Sequence, residues 1–178
     1  MSIVDKNLIR MHLCAGTRDE ALRNMGMLLF EKGYVRESYT EALLKREEIY
    51  PTGLNLQTIS IAMPHTDPSH VLKPAIAIAT MEKPVTFMHM GNTGVSVPAE
   101  ILFVMAIQNP KEQIDQLRKV MKAFADPMIV RKFQLASDEQ EIFTLGKRYF
   151  DWSGGVFYEK NQCIMCLWLR DGDVIDDC

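Results

Sequence analysis

Cysteine is nearly absent from the body of this 178-residue chain: Cys14 stands alone until Cys163, Cys166 and Cys178. A disulfide framework is excluded there, and a reducing, cytoplasmic setting is expected. Long apolar runs are missing too. None approaches the ~18–20 residues of a membrane-crossing helix, so no membrane insertion is expected. The opening Met1-Ser-Ile-Val-Asp-Lys6 has no basic region followed by an apolar stretch, so no secretory leader is expected. Positive charge is not in excess. The net charge of −3 argues against nucleic acid or an anionic membrane surface as a partner. There is no glycine-rich phosphate loop, because Gly91-Asn-Thr-Gly94 lacks both the spacing and the lysine. No serine nucleophile elbow, internal repeat or low-complexity linker is present.

What is present is ordinary globular composition, 47% apolar and 24% charged, enough for a sizeable core. One domain over residues 1–150 is expected, followed by a tail of unknown role over residues 151–178 that includes Cys163 and Cys166. Leu8–Leu13 reads as a short strand. Thr17-Arg-Asp-Glu20 reads as a capping box opening a helix with Ala21, Leu22, Met25, Leu28 and Leu29 inward, and Gly33 stops it. Ser38-Tyr-Thr-Glu41 reads as a second capping box, for a helix that Pro51 ends.

Thr52–Asn55 is expected to be a loop and Thr58–Met63 a strand. Ala75–Met81 is a central strand, with a separate strand at Val85–Met90 and another at Ile101–Ile107. Asn109-Pro110 opens a helix with Ile114, Leu117, Val120, Met121 and Phe124 inward. Shorter helices start at Asp126-Pro127 and Ser137-Asp-Glu-Gln140. Strands and helices interleave, so the class is α/β.

The chemistry centres on Thr58-Ile-Ser-Ile-Ala-Met-Pro-His-Thr66. Proline stops a strand, and His65 follows on a rigid turn at its mouth. A neutral imidazole nitrogen is a nucleophile toward phosphorus. Transfer also needs donors for the phosphoryl oxygens. The Thr52-Gly53 loop, the N–H groups after Pro64 and the Thr66 hydroxyl are candidates. Arg46 is the candidate guanidinium partner. Against this stand blander readings: a hydrogen-bonding loop histidine, and a solvated Lys45-Arg46-Glu47-Glu48 charge cluster. A metal site from His65, Asp67 and His70, with His89 not far off in sequence, has no standard zinc spacing, and Cys163-x-x-Cys166 has no second pair. No metal and no cofactor is expected.

Taken together, Arg46-Glu-Glu, Pro51-Thr-Gly and Ile59-Ser-Ile-Ala-Met-Pro-His65-Thr resemble the active-site region of enzyme IIA of the bacterial sugar phosphotransferase system, mannitol/fructose type. The resemblance spans about residues 5–150. It implies a three-layer α/β/α sandwich with a small mixed sheet. It also implies that His65 is phosphorylated by the phosphocarrier HPr and passes the group to a IIB component, with Arg46 as electrostatic partner. A membrane IIC permease would then be served indirectly.

Two departures resemble the galactitol-type branch. The interval from Arg46 to His65 is longer than in mannitol-type members, and Gln113 stands where many members carry a second histidine. Gln113 then becomes a hydrogen-bond partner for the phosphoryl group or the ring, one that cannot change charge. Galactitol or a related polyol is the sugar the branch implies. The alternative role is a regulatory phospho-switch acting on a transcription regulator.

Overall fold

The computed structural model describes residues 2–151. Alternation builds its sheet. The strands are β1 (Val4–Leu13), β2 (Gly53–Asn55), β3 (Ser60–Ala62), β4 (Ala75–His89) and β5 (Asn92–Ala106). β1 runs parallel to β4, β4 antiparallel to β5, β5 parallel to β3, and β3 antiparallel to β2. β2 also meets the far end of β4, where Gly53 pairs with His89.

Successive side chains of a strand point to opposite faces. Ala75, Ala77 and Ala79 of β4 and Leu102, Val104 and Ala106 of β5 therefore join one apolar layer. Ile76, Ile78, Ile101, Phe103 and Met105 join the other. The first layer lies under helices α1 (Arg18–Glu31) and α2 (Tyr39–Ile49). The second lies under α3 (Pro110–Phe124), α4 (Pro127–Gln134) and α5 (Glu139–Phe150). The result is a three-layer α/β/α sandwich on a mixed sheet, as expected. In the second layer the Phe103 and Phe124 rings meet edge to face at 5.1 Å. No helix among the described residues is long and apolar enough to cross a membrane.

The first helix follows its sequence signals. Thr17 accepts from the Glu20 N–H at 3.2 Å, and all five predicted residues are buried. Gly33 sits at φ +73° just past the helix end, where a Cβ is unfavourable. Several other expectations need correction. Ser38 does not cap α2; its hydroxyl bonds the His70 ring instead, at 2.8 Å. Residues 53–55 form a strand, not a loop, because β3 folds back on them. Val85–Met90 is no separate strand: β4 runs through, with a register shift between Thr80 and Val85. The cap of α5 is Asp138, not Ser137.

Helix α3 is rolled about its axis. Gln116, Val120, Ala123 and Phe124 face inward, while Ile114 and Met121 are 49% and 39% exposed. Its apolar arc is wider than the contact surface beneath it, so one flank is left outside. Asp151 ends the described chain and is tied down, its carboxylate accepting from the Ile3 N–H at 2.8 Å. The rest of the tail, with Cys163 and Cys166, lies outside the described residues.

Candidate functional site

Strand β3 delivers the histidine. After Ala62 the Met63 N–H donates to the Thr52 carbonyl at 3.2 Å, and the Pro64 carbonyl accepts from the Met105 N–H at 2.9 Å. His65 forms an isolated parallel bridge beside Met105. Proline has no N–H to continue the ladder, so strand geometry persists only on its carbonyl side. The same Met105 presents its own carbonyl to the Tyr39 hydroxyl, fully buried at the start of α2, at 2.9 Å. Helix and strand end are thereby fixed to one another.

Seven residues along that helix, near its C-terminal end, Arg46 projects from the same side as Tyr39. Its Nη2 donates to His65 Nε2 at 2.8 Å, and its guanidinium lies over the Tyr50 ring, 5.2 Å from the centroid. On the other edge of the imidazole, Nδ1 lies 2.9 Å from the Met63 carbonyl oxygen. A carbonyl only accepts and a guanidinium only donates. Nδ1 therefore carries the proton, and Nε2 carries the lone pair. Burial, reinforced by repulsion from Arg46, holds the imidazole below the ordinary histidine range against the pull of the Met63 carbonyl. The ring is accordingly neutral at neutral pH.

Sequence reading missed Glu47. It is 1% exposed and takes both donors of Thr52: the N–H at 2.9 Å and the hydroxyl at 2.7 Å. Burial pushes its carboxyl up to about 7, against the Thr52 hydrogen bonds and the attraction of Arg18 and Arg46. Thr52, read as a phosphate donor, has its hydroxyl and its N–H directed at this carboxylate. Glu47 lies three and four residues beyond Leu44 and Leu43, both buried. Helical spacing alone could therefore have placed it inside. Tyr50 was missed as well, and nothing in its local sequence marks it.

Gly53 lies in β2 under steric pressure. A Cβ there would stand 2.6 Å from the Met88 carbonyl oxygen and 2.9 Å from Val97 Cβ. Thr66 is buried directly after the histidine. Gln113 sits in the first turn of α3, where its amide nitrogen is shut off from solvent without a hydrogen-bond partner. Among the described residues, the His65 ring bonds only Arg46 and Met63.

The residues weighed as a metal site are employed separately. Asp67 caps the 3₁₀ turn Pro68–His70 through the Ser69 N–H, and His70 bonds Ser38. His89 accepts from the Gly91 N–H in the β4–β5 hairpin. No group of three or more His, Cys, Asp or Glu among the described residues is arranged to hold a metal ion.

Residues 2–148 match the family model described as phosphoenolpyruvate-dependent sugar phosphotransferase system, EIIA 2. The galactitol-specific EIIA component of Escherichia coli is 29% identical over 129 residues, 71% of this chain and 85% of that protein. The crystal structure of IIA mannitol from Escherichia coli is similar with a TM-score of 0.64 and 27% identity. That match covers 79% of this chain and 95% of the other. A structure of enzyme IIAMTL in complex with phosphorylated enzyme IIBMTL, also from Escherichia coli, matches with a TM-score of 0.63 and 25% identity, over 80% and 96% of the two chains.

Proposed function

The chain belongs to the EIIA 2 family of the phosphoenolpyruvate-dependent sugar phosphotransferase system, and from that premise we propose that His65 is its phosphoryl carrier. The observation that carries the reading is the pair of partners on the imidazole: Met63 at Nδ1 and Arg46 at Nε2. A neutral ring with its lone pair on Nε2 is the nucleophilic form. Nε2 attacks the phosphorus of phospho-HPr, the bond from phosphorus to the donor nitrogen breaks, and the donor keeps that electron pair. The proton stays on Nδ1, where the Met63 carbonyl supports the positive charge that develops on the ring. Arg46 gives up Nε2 and turns its fork to the phosphoryl oxygens, for which a planar guanidinium is suited. The Thr66 hydroxyl, the Gly53 backbone and the unpartnered Gln113 amide are the further donors in this reading.

The group then passes to a IIB component. Support comes from the complex of enzyme IIAMTL with phosphorylated enzyme IIBMTL, whose IIA chain shares this fold. Galactitol or a related polyol is the sugar we assign to the system, in view of the galactitol-specific relative and of Gln113 in place of a second histidine. The carrier works in the cytoplasm and serves a IIC permease without entering the membrane.

The test is incubation with phosphoenolpyruvate, enzyme I and HPr. The chain takes up acid-labile label, and His65→Ala does not. Equal labelling of His65→Ala would overturn the assignment. Label that reaches His65 but never leaves for a IIB acceptor would turn the reading to a regulatory switch.

A further inference from the structure

We propose that Glu47 is a positioning residue for the His65 imidazole, acting on its Nδ1 edge through the backbone of Thr52 and Met63. This rests on the reading of His65 as the phosphoryl carrier. The contacts form an unbroken series. The Glu47 carboxylate accepts the N–H and hydroxyl of Thr52. The Thr52 carbonyl accepts the Met63 N–H at 3.2 Å. The Met63 carbonyl accepts the Nδ1 proton of His65 at 2.9 Å. The adjacent residue on the same helix, Arg46, reaches Nε2 directly at 2.8 Å. One turn of α2 thus grips both edges of the ring, one through a side chain and one through two backbone segments.

The cost of the arrangement argues that it serves the site. A carboxylate removed from water is expensive, and hydrogen bonds from a single threonine offset this only in part. Burial raises its pKa, as that penalty requires. What the carboxylate gains is a fixed Thr52, held from below while its carbonyl holds Met63. Without it, the Thr52 N–H and hydroxyl would be left buried without acceptors, and residues 51–53 would shift to find new ones. The Met63 carbonyl would then lose its register with Nδ1, and the ring could flip or change tautomer. A misplacement of that kind costs rate without removing any group that touches phosphorus.

The experiment uses the full chain and its Glu47→Ala, Glu47→Gln and Thr52→Val variants. Histidine ring ¹⁵N–¹H spectra of the unphosphorylated proteins report the tautomer. Initial rates with phospho-HPr report transfer per folded molecule. The parent shows the Nδ1–H form alone. Glu47→Ala shows a mixture with Nε2–H and transfers about tenfold more slowly or worse at saturating donor, with KM for phospho-HPr unchanged. Glu47→Gln keeps an acceptor oxygen for the Thr52 N–H and restores both readouts. Should Glu47→Ala not fold, Thr52→Val, which removes one donor and nearly preserves shape, shows the same tautomer change in weaker form.

A folded Glu47→Ala, or in its place Thr52→Val, with the parental tautomer and a rate within about twofold of the parent overturns the proposal and leaves Glu47 a stability residue. The tautomer is read before any phosphorylation. A failure of His65 as carrier, seen in His65→Ala, is therefore distinct from a failure of Glu47 as its support.

Discussion

Arg46 Nη2 donates to His65 Nε2 across 2.8 Å, so a residue near the end of helix α2 occupies the nitrogen proposed to attack phosphorus. The contact has two consequences. It selects the lone pair on Nε2, and in the proposed transfer it keeps a cation where the phosphoryl oxygens would arrive.

Arg46→Ala removes that cation, and label uptake from phospho-HPr should fall about 10²–10³-fold, the usual cost of losing one preorganised charge donor. Arg46→Lys should recover only part of it, because an ammonium lacks the planar fork. Initial rates of acid-labile labelling check both.

The position of the phosphoryl group on the ring is a separate expectation. Met63 holds the Nδ1 proton, so the label belongs on Nε2. Phosphorus-coupled ring spectra of the labelled protein distinguish the two isomers, and a label on Nδ1 would contradict the geometry.

Labelling should depend on pH in one direction. The His65 pKa is lowered, by burial first, so the ring is neutral above its folded value, which lies below the ordinary 6.5. The rate should be flat from neutral pH upward and should fall as acid takes the Nε2 lone pair. The same shift removes stability as pH drops from 6.5 toward the folded value, because the unfolded chain gains the proton first. Arg46→Ala leaves the burial but removes the repulsion, so the pKa should rise in a ring-proton titration.

Glu47 produces the opposite slope. Its carboxyl is raised from 4.5 to about 7, so the native state holds the proton longer than the unfolded chain. Its contribution is fully present below 4.5 and is lost as pH rises to about 7, by at most about 3 kcal/mol. Glu47→Gln does not ionise and should lose this slope. Urea unfolding midpoints of parent and variant at pH 5 and pH 8 provide the comparison.

Gly53→Ala should destabilise the fold by about 1–3 kcal/mol through overpacking, since the new methyl would meet the Met88 carbonyl oxygen at 2.6 Å. Strand β2 carries Gly53 directly after Thr52, so labelling should weaken as well. Thermal unfolding and labelling rates measured together check the coupling.

The histidine and its arginine were readable because each sits at a punctuation mark. Pro64 stops a strand just before His65, and Arg46 lies just ahead of the Pro51 that follows the helix. Glu47 was not readable in that way. In a run of four charged residues it looks like any solvated side chain; its spacing from Leu43 and Leu44 points inward, but only the packing of α2 on the sheet closes that face over it. The roll of α3 escaped for the same reason. Ile114 and Met121 obey helical periodicity as well as Phe124 does, and periodicity does not say how wide the surface beneath will be. Within the loop assigned to Thr52–Asn55, residues 53–55 became a strand only because residues 60–62 return beside them.

The sequence by itself displayed the apolar strand runs within β4 and β5 and the capped amphipathic helices, hence the α/β class, and it marked His65 as a poised imidazole. Those features depend on neighbours a few residues away, which sequence displays directly. Tertiary structure alone decided which ring nitrogen keeps its lone pair and what holds the proton on the other. That depends on Arg46 and Glu47 on one helix converging with Thr52 and Met63 beside the ends of two strands, and on a burial that makes each of their hydrogen bonds costly to lose.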